Sequence, residues 1–297
     1  LPHPLRPGGV VGASVGGLRL RLETLPGVAR PGRSGSLRLA FEVRDGKTAL
    51  TGRYASAPFG AVKAGYPDAA GTAEVQITNP AGGVLGGDLL ETEVSLASGS
   101  AATILTQGAT KAYRGDPAGQ SATFDLGHGT LLEYLPHHSI PYSGSNFRQT
   151  FEFRLAGDST LICWESFAAG RVARGERFGY GSLSSRTRIF REGTPLVVDG
   201  FELSGGGEPG GEEPFGGYSY FGSVYVLAPL DLAPLAERLH GALGGSGSLA
   251  SATAPSFGLC AARILSPKAP DLYHRLNACR ANARSFLGLP PSPREVW

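Results

Sequence analysis

Apolar and polar residues alternate with a period of two along most of the chain up to residue 204, and this alternation constrains the fold more than any other feature. In residues 37–43, for example, every second side chain is large and apolar. Successive side chains of a β-strand point to opposite faces, so such segments predict half-buried strands. Similar segments occur at residues 18–22, 75–77, 90–96, 102–105, 131–135, 147–155, 161–167 and 186–190. The pattern predicts about a dozen strands separated by turns.

The composition supports a strand-rich chain. Glycine contributes 45 of the 297 residues and proline 22, and both are unfavourable in helix interiors. Hydrophobic residues make up 41% of the chain, which is enough apolar surface to exclude disorder throughout. No helical pattern appears before residue 204, which excludes a β-α-β architecture, and the high glycine and proline content excludes a coiled coil. Periodicity alone does not distinguish a sandwich, a barrel and a β-helix, so the residues themselves predict a mainly β fold.

Charge and cysteine content exclude several classes of protein. The chain has 27 basic and 25 acidic residues, and a net charge of +2 predicts no nucleic-acid partner. No apolar run approaches the roughly 18 residues of a membrane-spanning helix, so no membrane association is predicted. The three cysteines are widely spaced and form no CxxC pair, which favours free thiols in a reducing compartment. The predicted location is therefore cytoplasmic.

The composition changes at residue 205. Residues 1–204 carry the alternating pattern and are predicted to form a strand-rich core domain. Residues 205–217 (GGGEPGGEEPFGG) are rich in glycine, proline and glutamate and predict a linker. Residues 218–297 predict a smaller α+β portion, with strands at 218–227 and 258–265 and helices at 232–243 and 271–287.

The helix predicted at residues 271–287 has one apolar side, because its apolar residues recur at steps of three and four. Arg275, Arg280 and Arg284 lie largely off this stripe. They predict a solvated basic side, and a surface that binds a partner is the alternative.

Two glycine-containing motifs are similar to enzyme signatures but lack the required context. Residues 12–16 (GASVG) fit the G-x-S-x-G turn that presents a nucleophilic serine, here Ser14. That turn needs a helix after the serine, whereas a strand pattern follows, so a glycine-rich turn is favoured. Residues 82–88 (GGVLGGD) lack the lysine of a phosphate-binding loop, and Asp88 would repel a phosphate. The paired glycines instead predict positive φ angles or close backbone approach.

Three segments carry side chains of the types that bind metal ions. His137 and His138 are adjacent, and on a strand they point to opposite faces, so they share one ion only where the backbone turns. Cys163 and Glu165 are two residues apart and therefore share one face of their strand. Glu176 lies in an arginine-rich segment, where an ion pair is the alternative to a role as metal ligand.

Four stretches resemble the UreD family of urease accessory proteins, which is also called UreH. They are residues 79–88 (NPAGGVLGGD), 106–114 (TQGATKAYR), 131–142 (LLEYLPHHSIPY) and 165–178 (ESFAAGRVARGERF). Their order and spacing are similar to those of the family, and the resemblance covers roughly residues 35–297. It implies an irregular, largely β-helical stack of strands with a couple of helices. Together with the pattern after residue 217, this predicts a mainly β fold, an irregular β-helical domain with a smaller C-terminal α+β portion that carries two helices.

The resemblance implies a scaffold that helps to deliver nickel to apo-urease and has no catalytic activity of its own. The implied partners are the urease apoprotein, a helical accessory adaptor and a nickel-binding GTPase, and a dimer within that complex is an expectation. No permanently bound cofactor is expected, because nickel is in transit through an internal passage.

The resemblance and the candidate ligands together give a set of expected site residues. The expected transient nickel ligands are His137, His138, Cys163, Glu165 and Glu176. The expected partner-binding residues are Arg275, Arg280 and Arg284. Two other functions stay open, a hydrolase that uses Ser14 or the His137/His138 pair and an adaptor protein that does not contact metal.

Overall fold

The alternating segments of the sequence form strands. The computed structural model describes residues 34–60, 64–205, 213–245, 247–292 and 294–296, so the alternation at residues 18–22 lies outside the described residues. The strands of this part are β1 (Ser34–Arg44), β2 (Lys47–Ala55), β3 (Ala64–Gly65), β4 (Ala73–Ile77), β5 (Gly83–Val84), β6 (Leu89–Leu96), β7 (Ala101–Thr106), β8 (Thr110–Ala112), β9 (Ala118–Leu126), β10 (Leu131–Leu135), β11 (Ser139–Pro141), β12 (Asn146–Leu155), β13 (Thr160–Ala168), β14 (Ser182–Arg191), β15 (Thr194–Ser204), β16 (Tyr220–Leu227), β17 (Leu249–Ser256) and β18 (Leu259–Ser266). Its helices are α1 (Ala233–Leu243), α2 (Ala269–Phe286) and one 3-10 turn (Val172–Arg174). The prediction of a mainly β fold with two C-terminal helices is confirmed.

The strands form two sheets, and the chain passes from one sheet to the other at almost every long strand. The first sheet has the order β15-β14-β12-β9-β6-β1-β2, and the second has the order β17-β18-β16-β13-β10-β7-β4-β3. Between β6 and β14, the strands β6, β9, β12 and β14 belong to the first sheet, and β7, β10 and β13 belong to the second. Within each sheet, these strands pair in parallel with one another, and one circuit of the chain through both sheets makes one turn of the stack. Every turn of the chain adds one strand to each sheet, which is the β-helical stack that the resemblance implies.

Large apolar side chains fill the space between the two sheets. Phe124 and Phe153, on neighbouring strands of the first sheet, stack with their ring centroids 4.6 Å apart. Tyr134 of the second sheet lies against Phe124 at a centroid distance of 4.6 Å, and all three residues are buried. Because the parallel strands are in register, side chains at the same position of successive turns form continuous rows. The alternation of the sequence persists because each row must face the same environment from turn to turn.

The C-terminal portion extends the second sheet and covers its outer face. β16 pairs antiparallel with β13, and β18 and β17 continue the sheet. Pro270 lies in the first turn of α2, where a missing N–H is tolerated. The apolar stripe predicted for α2 is buried against the sheet, including Leu272, Leu276 and Cys279. No helix in the described residues is long and apolar enough to cross a membrane. The division of the chain at residues 205–217 stays a prediction.

Two arginines of α2 are buried, so the prediction of a solvated basic side is wrong for Arg280 and Arg284. Their side chains are 3% exposed and both pair with the fully buried Glu133, which lies on β10 beneath α2. Arg280 Nε and Nη2 donate to Oε1 and Oε2 of Glu133 at 3.0 and 2.6 Å. Arg284 Nη1 lies 2.9 Å from Oε2. Arg275 is half-buried, and its guanidinium donates to the carbonyl of Leu243 at the end of α1.

The same side of α2 also holds residues near the end of the chain. Arg280 Nη1 donates to the carbonyl of Arg294 at 3.1 Å. Asn277 donates to the carbonyl of Val296 at 2.8 Å and accepts from its backbone N at 3.0 Å. Val296 is 4% exposed and packs with the apolar residues beneath α2. Residues 294–296 are therefore held against α2 by polar and apolar contacts.

We expect Glu133→Gln to lower the free energy of unfolding by about 3–5 kcal/mol at neutral pH, because it leaves two buried guanidinium groups without a carboxylate. Burial alone would raise the pKa of Glu133, but the hydrogen bonds and charges of Arg280 and Arg284 outweigh burial and lower it. The contribution of Glu133 to the free energy of unfolding is therefore fully present at pH values above its pKa in the unfolded chain, and it declines as the pH falls through its pKa in the folded protein. Denaturant-induced unfolding at several pH values measures the effect.

The control for this substitution is Glu93→Gln, which removes the exposed ion-pair partner of Arg38. It should cost about 1 kcal/mol or less, because water screens an exposed pair. We call Glu133, Arg280 and Arg284 the ion triad. An equal loss of unfolding free energy in the two variants would show that the ion triad does not stabilise α2 on the sheet.

Candidate functional site

The four stretches that resemble a known family lie side by side. β5, β8, β11 and the end of β13 each belong to one stretch, and they form a short parallel ladder. Its register pairs Val84 with Ala112, Ala112 with Pro141, and Ser139 with Phe167. The stretches are neighbours because each occurs in a successive turn of the stack. Together they build one wall of the molecule.

Glycine is required at four positions of the first stretch. Gly82 and Gly87 have φ angles of +75° and +83°, in the left-handed region that favours glycine. A Cβ on Gly83 would lie 2.1 Å from the carbonyl oxygen of Lys111, and one on Gly86 would lie 2.8 Å from the backbone of the next turn. The prediction of positive φ angles or close backbone approach at these glycines is confirmed.

A cleft opens beside this ladder, next to the space between the two sheets. The cleft has a volume of about 380 Å³, and Asn79, Gln107 and Lys111 contribute to its lining. A smaller cavity of about 50 Å³ lies between the sheets. The cleft and the cavity share lining residues, among them Thr106 and Gln120. These shared residues place the interior cavity directly behind the surface cleft.

A carboxyl group lines this cavity and is linked to the cleft by hydrogen bonds. Glu165 is 3% exposed, and its Oε2 accepts from Ser185 Oγ at 2.6 Å and from Gln149 Nε2 at 3.2 Å. Gln149 Oε1 in turn accepts from Gln120 Nε2 at 2.7 Å. Because Gln120 also lines the cleft, a chain of hydrogen bonds runs from the cleft to Glu165.

Glu165 is held without a direct ion-pair partner among the described residues. Burial raises the pKa of this carboxyl group, the hydrogen bond from Ser185 opposes that rise, and the charge of Asp199 adds to it. The described arginines of residues 171–177 pair with other carboxylates or with none, so the alternative of an ion pair between Glu165 and that segment is not observed.

Further polar side chains follow Glu165 across β16 and β18, toward the edge of the second sheet that β17 forms. Ser223 on β16 is the register partner of Glu165, and Arg263 on β18 is the register partner of Ser223. Tyr225 and Arg263 both donate to Asp199 Oδ2 on β15. The hydroxyl group of Ser223 is buried and has no hydrogen-bond partner among the described residues. We call Gln120, Gln149, Ser185, Glu165, Ser223 and Arg263 together the polar row.

The two adjacent histidines have different partners. His137 lines the cavity, and its Nδ1 lies 3.1 Å from the Thr106 hydroxyl, which also accepts from the His137 backbone N at 2.9 Å. His138 contacts α2, where its Nδ1 lies 2.8 Å from the Tyr273 hydroxyl. That hydroxyl also accepts from the His138 backbone N at 3.1 Å. Burial, together with the charge of His137, lowers the pKa of His138 to about 4.

Of the other predicted ligands, Cys163 faces the interior and Glu176 does not. Cys163 is 2% exposed in the core between the sheets, and burial followed by the charge of Glu165 raises the pKa of its thiol. The prediction that Cys163 and Glu165 share a face is confirmed, since both face the space between the sheets. Glu176 accepts two hydrogen bonds from the Arg171 guanidinium and one from the Ser143 backbone N at 2.6 Å. For Glu176 the structure shows the ion pair, and the hydrogen bond from Arg171 lowers its pKa.

The five predicted ligands do not form one metal centre. Within the part of the chain that is described, no group of three or more His, Cys, Asp and Glu side chains could hold a metal ion. His137 and Glu165 share the cavity, whereas His138 and Glu176 do not line it. That any of them binds nickel stays a prediction. Ser14 and its G-x-S-x-G motif lie outside the described residues.

Two residues of the polar row, Gln149 and Ser185, were missed by reasoning from the sequence. Gln149 occupies an inward position of β12 between Phe147 and Phe151, and it is 3% exposed. Ser185 is its register partner on β14 and is equally buried. Polar side chains at inward positions of two alternating strands are a signal of a buried hydrogen-bond network, and this signal was present in the sequence.

Fold and site together define a two-sheet parallel β-helical protein whose interior contains a polar row beside a surface cleft. A family model described as UreD urease accessory protein matches residues 33–297. A protein of Cenarchaeum symbiosum (strain A) is 32% identical over 275 residues, which cover 86% of this chain and 94% of the relative. A protein of Alkalilimnicola ehrlichii is 33% identical over 275 residues (90% and 92%), and one of Deinococcus radiodurans is 33% identical over 272 residues (90% and 95%). All three are named urease accessory protein UreD.

The chain therefore belongs to the UreD family of urease accessory proteins. The resemblance noted in the four stretches is confirmed, and the matched range agrees closely with the range expected from the sequence. The relatives are named as accessory proteins and not as enzymes.

We expect Glu165→Gln to remove a pH dependence of stability. Because the folded pKa of Glu165 is raised, the stabilisation associated with this group is fully present below its unfolded pKa and is lost as the pH rises through the folded pKa. Relative to the variant, the wild-type protein should lose about 1.4 kcal/mol for each unit by which the pKa is raised. Urea-induced unfolding of both proteins between about pH 4 and about pH 8 measures this difference. A difference that stays constant over that range would contradict a raised pKa.

Proposed function

We propose that this protein acts in urease maturation as a non-catalytic scaffold through which nickel passes to apo-urease. Family membership supports the role in urease maturation. One structural observation supports the passage of an ion, namely the polar row that leads from the cleft beside the four stretches to Glu165. Nickel is the cargo in this proposal, and no cofactor is permanently bound.

The chemistry of the polar row suits an ion that must be released again. A structural metal site uses a closed set of four ligands, whereas an ion in transit needs few ligands and weak ones. His137 and Glu165 offer an imidazole and a carboxylate at the cavity, and both ligand types accept Ni²⁺. Ser166, Thr187 and Ser223 have buried hydroxyl groups without a hydrogen-bond partner among the described residues, and such groups can bind water or a passing ion.

The raised pKa of Glu165 links metal binding in the proposed passage to protonation. A carboxylate binds a metal ion in its deprotonated form, so metal binding releases any proton that the group holds. Burial raises the pKa of Glu165, and no described cation pairs with it directly, so this group holds a proton more readily than an exposed glutamate does. In this proposal nickel and a proton compete for Glu165, so that protonation favours release of the ion.

The other expected ligands have different roles in this proposal. Cys163 faces the same interior, and its raised pKa makes the thiolate a scarce ligand. Tyr273 occupies Nδ1 of His138, and Arg171 occupies the carboxylate of Glu176. We therefore place His138 and Glu176 outside the route as groups that hold the surrounding structure.

The proposed partners are apo-urease, a helical accessory adaptor and a nickel-binding GTPase, in the cytoplasm, with a dimer of this chain in the complex. We propose the outer side of α1 and α2 as the surface for the adaptor. Arg275 connects the two helices at this surface, whereas Arg280 and Arg284 support α2 from within through Glu133. The two buried arginines would therefore affect adaptor binding through the position of α2.

The maturation role is tested by removing the protein from a cell that expresses urease. Apo-urease should stay soluble but contain little nickel, and restoring the wild-type chain should restore its nickel content. A metal-independent adaptor would leave the nickel content of purified urease unchanged, and a hydrolase would show turnover by the isolated chain. Metal analysis of purified urease separates the nickel role from a metal-independent adaptor, and an assay of the isolated chain for turnover separates it from a hydrolase.

We expect His137→Ala to reduce the nickel delivered to urease by about tenfold, because it removes an imidazole from the cavity. The matched control is His128→Ala, since His128 is exposed and pairs with Asp158 in a turn outside the cavity. Nickel content is measured after maturation with equal amounts of each folded variant. Equal nickel content with the two variants would remove His137 from the proposed route.

A further inference from the structure

Two tyrosine rings and an arginine form a packed cluster where the four stretches meet. The rings of Tyr113 and Tyr142 are edge to face, with centroids 5.0 Å apart and planes at 67°. The Arg171 guanidinium lies 4.6 Å from the centroid of the Tyr142 ring. Tyr113 lies against Gly83, where a Cβ would be 2.9 Å from the tyrosine ring. Each of the four stretches therefore contributes to this cluster.

Glu176 fixes the arginine of the cluster in place. Arg171 Nε donates to Glu176 Oε2 at 2.8 Å, and the Arg171 Nη2 donates to the same oxygen. Glu176 Oε1 accepts from the backbone N of Ser143, the residue that follows Tyr142. The Arg171 side chain is nevertheless 37% exposed. The cluster is thus ordered before any partner binds, which reduces the entropy lost on association.

Two further arginines beside the cluster have no ion-pair partner among the described residues. Arg114 is exposed and adjoins the turn that follows Tyr142, since a Cβ on Gly144 would lie 3.6 Å from the Arg114 Cβ. Arg174 is exposed and is the last residue of the 3-10 turn. By contrast, the exposed Arg38 on the first sheet pairs with Glu93. The cluster therefore lies next to positive charge that the described carboxylates do not neutralise.

We propose that Tyr113, Arg114, Tyr142, Arg171 and Arg174 form a docking surface, the tyrosine–arginine patch, for an acidic surface of a partner protein. Tyrosine and arginine are enriched where binding energy is concentrated in protein interfaces. Guanidinium groups bind carboxylates through paired, charge-assisted hydrogen bonds. The net charge of +2 for the whole chain is too small to favour a long polyanion such as nucleic acid.

The identity of the partner in this inference rests on the proposed function, which makes apo-urease the probe. The test measures binding of the full-length chain to purified apo-urease at low and at high salt. The variant Arg114→Glu/Arg174→Glu reverses the two unpaired charges and leaves the aromatic packing intact. The matched control is Lys47→Glu/Lys268→Glu, which reverses two exposed charges at the start of β2 and before α2.

We expect the arginine double variant to bind at least about tenfold more weakly, whereas the lysine control should stay within about twofold of the wild type. Wild-type binding should weaken with added salt more than binding of the arginine variant, because salt screens the charges that the variant lacks. The neutral variant Arg114→Gln/Arg174→Gln should bind with intermediate strength. Denaturation midpoints confirm that all variants are folded.

The outcomes separate failure of the patch from failure of the proposed function. If the wild type binds apo-urease and the arginine double variant binds equally well, the patch is not the docking surface and the proposed function stands. If the arginine double variant loses the same factor of affinity at low and at high salt, charge complementarity is not the basis of binding. If the wild type does not bind apo-urease at all, the contact assumed by both proposals is overturned.

Discussion

The architecture depends on parallel strands that stack in register, so that each inward side chain has inward neighbours from the turns before and after it. Apolar rows formed in this way, such as the one containing Phe124 and Phe153, are the core. The same rule allows a polar row, because a buried polar group in one turn finds its hydrogen-bond partner in the next. Gln149 bonds to Gln120 on one neighbouring strand and lies in register with Ser185 on the other. Stacking in register therefore explains both how the chain folds and how polar groups are satisfied inside it.

The position of α2 on this stack is determined by charge as well as by apolar contact. Arg280 and Arg284 are one helical turn apart, and both reach the single carboxylate of Glu133. A shift of α2 by one turn would leave a buried charge without its partner, which costs several kcal/mol. The same helix carries Tyr273, whose hydroxyl binds both the ring and the backbone of His138. Tyr273 lies seven residues before Arg280 and therefore on the same side of α2, so the ion triad also determines the surroundings of His138.

The elements could be predicted from the sequence, but most of their partners could not. Alternation identifies strands and the three-four spacing identifies α2, because both patterns are local. Glu133 illustrates the limit, because its partner Arg280 is 147 residues away. The five residues of β10 alone do not show that a helix will cover this strand. For the site, the shared face of Cys163 and Glu165 follows from a separation of two residues. The different partners of His137 and His138 do not follow from their adjacency, because they depend on a cavity and on a helix that come from distant segments.

The β-helical fold does not itself require the polar row. The neighbouring rows achieve the same stacking with phenylalanine and leucine, so the β-helical fold does not require a buried carboxyl group. Glu165 is there at an energetic cost, since burial raises its pKa and no described cation pairs with it directly. Well-packed apolar side chains at such positions are often at least as stable as buried charged groups. Stability therefore does not account for Glu165 and its glutamine and serine partners. Their place beside a cleft, next to a ladder whose glycines bring its strands close together, is the arrangement that the proposed ion passage requires.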